Sequence, residues 1–370
     1  MSATAHAVVY KGPETFSLET LPLPALGSGD LLIEVLLCGV DGSELHMYRG
    51  EFPWLNEVAP VIFGDEILGR VSAIGDAASE KRGLKVGDRV VVESRWPCDG
   101  CRTCAAGQYY LCETRGNVFL GYGTMPSGEP PHLWGGYATH TFVPESALVY
   151  KVPDALPDTT ALIACSPLAN GLRWAGLAGA APGAHVAVIG PGTQGLACAL
   201  AARCLGAKVT VIGLASDAER LEMAASFGAD ATLAIEPGED LATTVARVAA
   251  SSGPVDGVIE TAGAGSAKEL AVRLLRPLGV MVNVSVPSPA AQPVDWMALM
   301  QKEITIVNPL SHPHTVERAF TVAAGLLADG TDIGSWITHT FPLEEAAEAI
   351  ALASYQRAER PVKVALKPAS

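Results

Sequence analysis

The sequence predicts a two-domain chain of the α/β class: a β-rich first part, then a doubly wound parallel sheet. Three observations carry this. At 370 residues the chain is long for one hydrophobic core and comfortable for two. Residues 1 to about 155 show short apolar runs broken by Gly and Pro turns. From Thr159 onward, Ala/Leu-rich helical stretches alternate with apolar strands, the βαβ alternation of a parallel sheet.

In the first part, strands fall at residues 5–10, 30–37 and 88–93, with turns at Gly27-Ser-Gly-Asp30 and Gly87-Asp88. Residues 61–74 contain Gly64 and Gly69 and read as an interrupted strand pair. In the second part, strands fall at 186–189, 209–212, 231–235, 257–260, 280–286 and 304–307. After Pro309 come a helix over 315–329, a strand at 338–341 and a helix over 343–356. A last strand at 361–366 is expected to return to the first domain. There is no internal repeat and no low-complexity segment.

The stretch 184–213 organises the second part. His185-Val-Ala-Val-Ile189 has the length and β-branched content of a buried strand. Gly190-Pro-Gly-Thr-Gln-Gly195 follows at once and fits G-x-G-x-x-G. A helix over 196–205, a stop at Gly206 and a strand at 208–212 complete the first unit of a dinucleotide-binding fold. Gly190 permits the tight turn, Gly192 lets backbone approach a pyrophosphate, and Gly195 lets helix pack close on strand. The helix N-terminus, with Thr193 and Gln194, then presents unpaired N–H groups to the phosphates. Glycines also mark ordinary turns, but strand, helix and second strand in register favour a nucleotide site.

Composition excludes other classes. The chain is 49% hydrophobic and 17% charged, which is globular, and its net charge of −14 disfavours a polyanionic partner such as nucleic acid. No apolar run reaches membrane-spanning length, and residues 1–10 lack a basic-then-apolar signal pattern, so a cytoplasmic location is expected. Four of the eight cysteines, Cys98, Cys101, Cys104 and Cys112, follow C-x2-C-x2-C-x7-C. In a reducing compartment this clustering points to metal and not to disulfides. Four thiolates at these spacings close a tetrahedral zinc site with no open position, the structural type. The segment is too polar to fold on apolar burial alone, so zinc would organise it as a lobe over residues 94–115.

With these motifs the chain resembles the zinc-containing alcohol dehydrogenases of the medium-chain dehydrogenase/reductase superfamily. The match runs over essentially the whole length. It includes the four-cysteine lobe, GDRV at 87–90, GGYATH at 135–140, the glycine turn and the terminal RPVKVALKP. The resemblance implies a GroES-like catalytic domain over 1–166, a Rossmann domain over 167–307, and a segment over 308–370 that returns to the catalytic domain. It also implies NAD(P)-dependent hydride transfer to or from a small molecule, and a homodimer or homotetramer.

The sequence departs from the family where the chemistry sits. In Cys38-Gly-Val-Asp41-Gly-Ser43-Glu44-Leu-His46, Asp41 stands where the family has its first catalytic zinc ligand, a Cys. In Gly64-Asp65-Glu66, Asp65 replaces the second ligand, a His. Cys165 fits the third ligand position, and Ser43 and His46 match the proton relay. With Asp41, Asp65 and Cys165 a zinc ion would carry one net negative charge, and Glu66 would add another. Each added anion weakens the Lewis acid, and carboxylates suit harder cations. The departures favour an empty catalytic position. Three carboxylates then converge, and like charges that close cannot all ionise, so at least one holds a proton near neutrality. The alternative is that Asp65 or Glu66 pairs with an arginine such as Arg70 or Arg49.

At the cofactor end, the second strand finishes at Gly213, followed by Leu-Ala-Ser216-Asp217. No carboxylate sits at the strand end, which favours NADP by sparing a 2′-phosphate repulsion, yet Asp217 within reach leaves NAD open. In the family, a basic residue matched by Lys363 approaches the pyrophosphate, and the backbone at Val284 contacts the carboxamide. Two catalytic variants follow. One is an Asp/Asp/Cys metal site oxidising an alcohol or polyol; the other is metal-free hydride transfer to an iminium or conjugated C=C. A non-catalytic nucleotide-binding protein is the third reading, and retention of Ser43 and His46 argues against it. Trp54, Trp96, Tyr122, Trp134 and Trp296 either line an apolar pocket or belong to the core.

Overall fold

The computed structural model describes residues 4–287, 291–357 and 359–369. In chain order the strands are β1 (Thr4–Gly12), β2 (Thr15–Pro22), β3 (Leu31–Val40), β4 (Val61–Ile62), β5 (Glu66–Ile74), β6 (Arg89–Val92), β7 (His140–Val143) and β8 (Val149–Lys151). They continue as β9 (His185–Ile189), β10 (Lys208–Leu214), β11 (Ala231–Ile235), β12 (Val255–Glu260), β13 (Leu275–Asn283), β14 (Thr305–Val307), β15 (Ile337–Phe341) and β16 (Lys363–Leu366). The chain divides into two compact units, residues 1–165 with 323–370 and residues 166–322. The boundaries read from sequence lie at 166/167 and 307/308.

The first unit is built on β3, whose near-continuous apolar run is buried along most of its length. It pairs antiparallel with β5, β7 and β16 in a seven-stranded sheet, and β2, β1 and β4 form a second sheet. The C-terminal strand β16 is wholly buried and registers Val364 on Val40, so the end of the chain lies beside the residues that precede Asp41. Residues 61–74 form an interrupted pair of strands, β4 and β5, parted at Phe63-Gly64-Asp65, where Gly64 adopts φ +98°. Gly69 continues β5, because a Cβ there would come within 2.0 Å of Ile33 Cγ2 on β3. It marks a close strand approach and not a turn.

The second unit is a six-stranded parallel sheet in the order β11-β10-β9-β12-β13-β14. That is the 3-2-1-4-5-6 order of a doubly wound dinucleotide fold. The central strand β9 is buried throughout, as a strand covered on both faces must be. The helix Thr193–Cys204 follows directly and buries Gly195 through Ala202. Sequence boundaries shift modestly elsewhere. The 315–329 helix is Val316–Ala328, and the 343–356 helix is a 3-10 turn, Leu343–Glu345, followed by Ala346–Ala353. The 280–286 strand ends at Asn283, which leaves Val284 in the following loop. Among the described residues no helix is long and apolar enough to cross a membrane.

Candidate functional site

Asp41 leaves β3 and caps the helix Gly42–Tyr48. Its side chain accepts from the Glu44 N–H at 2.9 Å, and Glu44 accepts from the Asp41 N–H at 3.1 Å, a reciprocal capping box. Ser43 Oγ donates to Asp41 Oδ1 at 2.9 Å. Glu44 is buried and also accepts from the Gly64 N–H at 2.8 Å and from Tyr137 Oη at 2.6 Å. It therefore ties the Asp41 helix start to the backbone just before Asp65. Desolvation, then the neighbouring Asp41 and Asp65, push the Glu44 carboxyl well above its usual range. Sequence reasoning passed over Glu44, although Asp-x-x-Glu is the spacing of a capping box.

Asp65 is a second perturbed carboxyl of the cluster. Desolvation and then the negative charge of Asp41 raise its pKa to about 8, against the opposing pull of Arg95. Arg95, also missed from sequence, donates to Val118 O at 3.1 Å and Ser94 Oγ at 3.2 Å. Glu66 has neither of the arginine partners considered for it. Arg70 donates to Gly87 O, and Arg49 lies 3.8 Å from Glu51. Glu66 instead pairs with Lys363 at 2.5 Å, and both side chains are buried. Gly39 makes the room: a Cβ there would stand 2.0 Å from Glu66 Oε2 and 2.9 Å from Lys363 Cε. The Lys363 ammonium thus meets a carboxylate of its own unit.

Cys165 is buried and its thiol donates to Leu162 O at 3.2 Å. Burial pushes that thiol well above the usual range, which holds it protonated. His46 Nδ1 lies 2.6 Å from Glu51 Oε2. The two relay residues thus have separate partners, Ser43 with Asp41 and His46 with Glu51.

The cofactor turn follows the expected geometry in part. Gly190 has φ +98°, and Thr261 Oγ1 donates to its carbonyl at 2.7 Å. A Cβ on Gly195 would lie 1.8 Å from Gly190 O, so close helix–strand packing demands glycine there. Gly192 is the N-cap of the helix, and nothing lies within 4 Å of its Cβ position. Thr193 opens the helix behind it. The Gln194 side chain is engaged within the same unit: its amide donates to Pro167 O at 2.9 Å and its carbonyl accepts from Asn170. Beyond β10, Gly213 packs under Pro191, Ser216 is exposed, and Asp217 accepts from the Leu214 N–H at 3.0 Å and faces Arg220 at 3.6 Å. The Val284 N–H donates to Glu260 O, at the same edge of the sheet as the glycine turn.

In the lobe, the ligand atoms of Cys98, Cys101, Cys104 and Cys112 all lie within 4.8 Å of one another. Zn–S bonds of about 2.3 Å place tetrahedral sulfurs roughly 3.8 Å apart. Cys98 Sγ and Cys104 Sγ stand at 3.8 Å, so the cluster fits a structural zinc. Among the described residues it is the one group of three or more His, Cys, Asp or Glu gathered in this way. Behind it, Arg115 lies over the Trp96 ring, 4.3 Å from its centroid. Trp96 and Tyr122 are buried, with Trp134 stacked half-buried on Trp96, while Trp296 is 74% exposed in the other unit.

Two family models match: the alcohol dehydrogenase GroES-like domain over residues 27–154 and the zinc-binding dehydrogenase domain over 195–323. A Mycobacterium tuberculosis protein named "Probable alcohol dehydrogenase adh" is 34% identical over 89% of this chain and 88% of its own. The chain belongs to the zinc-containing alcohol dehydrogenase family. An erythritol/L-threitol dehydrogenase of Mycolicibacterium smegmatis is 31% identical over 98% of both chains. The solved alcohol dehydrogenase rspB of E. coli CFT073, complexed with NADH, is 25% identical with a TM-score of 0.80, over 99% of this chain and all of that one. As a member of this family the chain is an NAD(P)-dependent oxidoreductase with GroES-like and Rossmann folds, and its relatives act on small molecules.

Proposed function

We propose that this chain reduces a conjugated C=C or an iminium group of a small molecule with NAD(P)H, without a catalytic metal. The observation that carries the reading is the engagement of three of the four ligand positions within the protein itself, with the fourth, Asp65, held neutral. Asp41 caps its helix and accepts from Ser43, Glu66 faces Lys363, and Cys165 is a buried, protonated thiol. Desolvation and like charge keep Asp65 protonated. Such a set does not fit a Lewis-acidic zinc, and an already electrophilic carbon needs none. The single structural zinc belongs to Cys98, Cys101, Cys104 and Cys112.

NAD(P)H held at the glycine turn would supply the hydride, becoming NAD(P)⁺. Reduction of a conjugated C=C would then need one proton for the displaced π pair, which the Asp65 carboxyl would donate. Solvent then reprotonates Asp65. An iminium carbon accepts hydride and becomes an amine without a further proton. Ser43 and Glu44 keep Asp41 in place, and the Asp41 charge raises the proton affinity of Asp65. A metal-dependent polyol dehydrogenase is the second reading, favoured by the erythritol/L-threitol relative.

A pH–rate profile separates the two. If neutral Asp65 is the donor, enal reduction falls as pH rises through about 8, because the proton is lost. Asp41→Asn removes the like charge that raises this pKa, so the decline moves to lower pH. Asp65→Asn lowers kcat by about 100-fold or more, the usual size of a general-acid contribution. A chelator leaves the profile unchanged. Chelator-sensitive alcohol oxidation that rises with pH would establish the metal-dependent reading instead.

A further inference from the structure

We propose that Glu260 is a positioning residue for the nicotinamide half of the cofactor, fixing the loops after β12 and β13 to the glycine turn. This rests on the placement of NAD(P) at that turn and extends it to the other half of the molecule. In the sheet order β11-β10-β9-β12-β13-β14, β9 has β10 on one side and β12 on the other. The chain order reverses there, and an open α/β sheet binds a dinucleotide in the crevice outside the strand ends at such a point. The end of β10 serves the adenosine ribose, which leaves nicotinamide to the ends of β12 and β13. Glu260 is the last residue of β12, in register with Ile189 on β9 and Asn283 on β13, so it stands at that crevice.

Its side chain is fully buried. Oε1 accepts from the Ala262 N–H at 2.6 Å and the Gly263 N–H at 2.8 Å. Oε2 accepts from Ser285 Oγ, on the loop after β13, and faces Lys268 Nζ at 3.2 Å. Lys268 reaches it from the helix Gly265–Leu274 and also donates to Gly263 O at 3.1 Å, where Gln292 Nε2 donates at 2.8 Å. Thr261 closes the frame on the other side: its Oγ1 donates to Gly190 O at 2.7 Å and its N–H to Ile189 O at 3.0 Å. Gly263 has φ +82°, and a Cβ there would stand 2.7 Å from Val286 O, so the two loops pass close together. A buried ion pair adds little net stability, because desolvation offsets the attraction. What this one supplies is geometry. One carboxylate ties the loops after β12 and β13 together, and Thr261 ties them to the glycine turn, the kind of support that keeps a binding site in its productive shape.

The test separates the two halves of the cofactor. Calorimetric titration reads NADH and NADPH beside ADP-ribose and 2′-phospho-ADP-ribose, which lack the nicotinamide. Glu260→Asp is one methylene short of spanning both loops, and Ser285→Ala removes only the tie to the loop after β13. Glu260→Asp should weaken NADH and NADPH by about tenfold, the scale of a hydrogen bond to a charged group, and leave both ribose fragments unchanged. The emission of bound NADH should shift toward that of the free nucleotide. Ser285→Ala should show the same pattern in smaller measure, and it decides alone if Glu260→Asp does not fold. Equal losses for nucleotide and fragment would overturn the proposal, since Glu260 would then serve only the fold of its unit. So would NADH affinity and emission unmoved by both variants. Every arm reads binding without turnover, so failure of the proposed reduction would leave this result standing. A Gly192→Asp variant that binds NADH and ADP-ribose as wild type does would overturn the placement at the glycine turn and this proposal with it.

Discussion

Gly192→Asp is expected to abolish NAD(P) binding and leave the fold intact. Gly192 caps a helix of twelve residues with φ −69°, a conformation open to any residue. Nothing lies within 4 Å of its Cβ position, so a carboxylate enters without a clash. Aspartate is a favoured N-cap and should add about 1 kcal/mol or less to the helix. The same carboxylate stands where the helix terminus would receive a pyrophosphate. Two like charges about 4 Å apart cost roughly 4 kcal/mol at an effective dielectric of about 20. Affinity should therefore fall by about 100-fold or more while the melting temperature holds or rises. Fluorescence titration with NADH and NADPH, beside thermal unfolding, checks both. Unchanged affinity would mean that the nucleotide lies elsewhere.

Lys363→Met is the substitution expected to cost most stability. The Lys363 ammonium and the Glu66 carboxylate are 2.5 Å apart, and both side chains are about 95% or more buried. Burial alone would lower the Lys363 pKa, yet Glu66 and Asp41 carry it above its usual value. Removing the cation leaves the buried Glu66 carboxylate beside Asp65 without this counter-charge. Breaking a buried pair in this way costs about 3–5 kcal/mol. Lys363→Met with Glu66→Gln removes both charges and should recover most of the loss, because the penalty lies in the orphaned charge and not in the missing pair. Urea unfolding of the single and double variants measures this. A single variant as stable as wild type would show that the pair is hydrated and not sealed between β3, β5 and β16.

Much of the fold was legible because its signals are local. The strand, glycine turn and helix at 185–204 follow one another in sequence, and so do the four cysteines at 98–112. Asp41 and Asp65 were legible as departures from a motif. The partner of Glu66 was not. Arg70 and Arg49 are near in sequence, but strand pairing sends Arg70 to Gly87 O and brings Lys363 from the far end of the chain. Arg95 carried no motif, since its place follows from how the 117–123 loop folds back. Glu44 was legible by spacing and was overlooked. The tryptophans could not be sorted by type: Trp96 and Trp54 look alike in sequence, and only packing buries one and leaves the other half-buried against the same core.

One zinc per chain is expected, bound by Cys98, Cys101, Cys104 and Cys112, with Asp41, Glu66 and Cys165 engaged by the protein and Asp65 neutral. Elemental analysis of the purified enzyme after prolonged dialysis against a chelator tests this directly. One equivalent of zinc, lost together with thermal stability in a Cys112→Ser variant, is the predicted result. Two equivalents that survive the chelator, one of them released by Asp41→Asn together with activity, would contradict it.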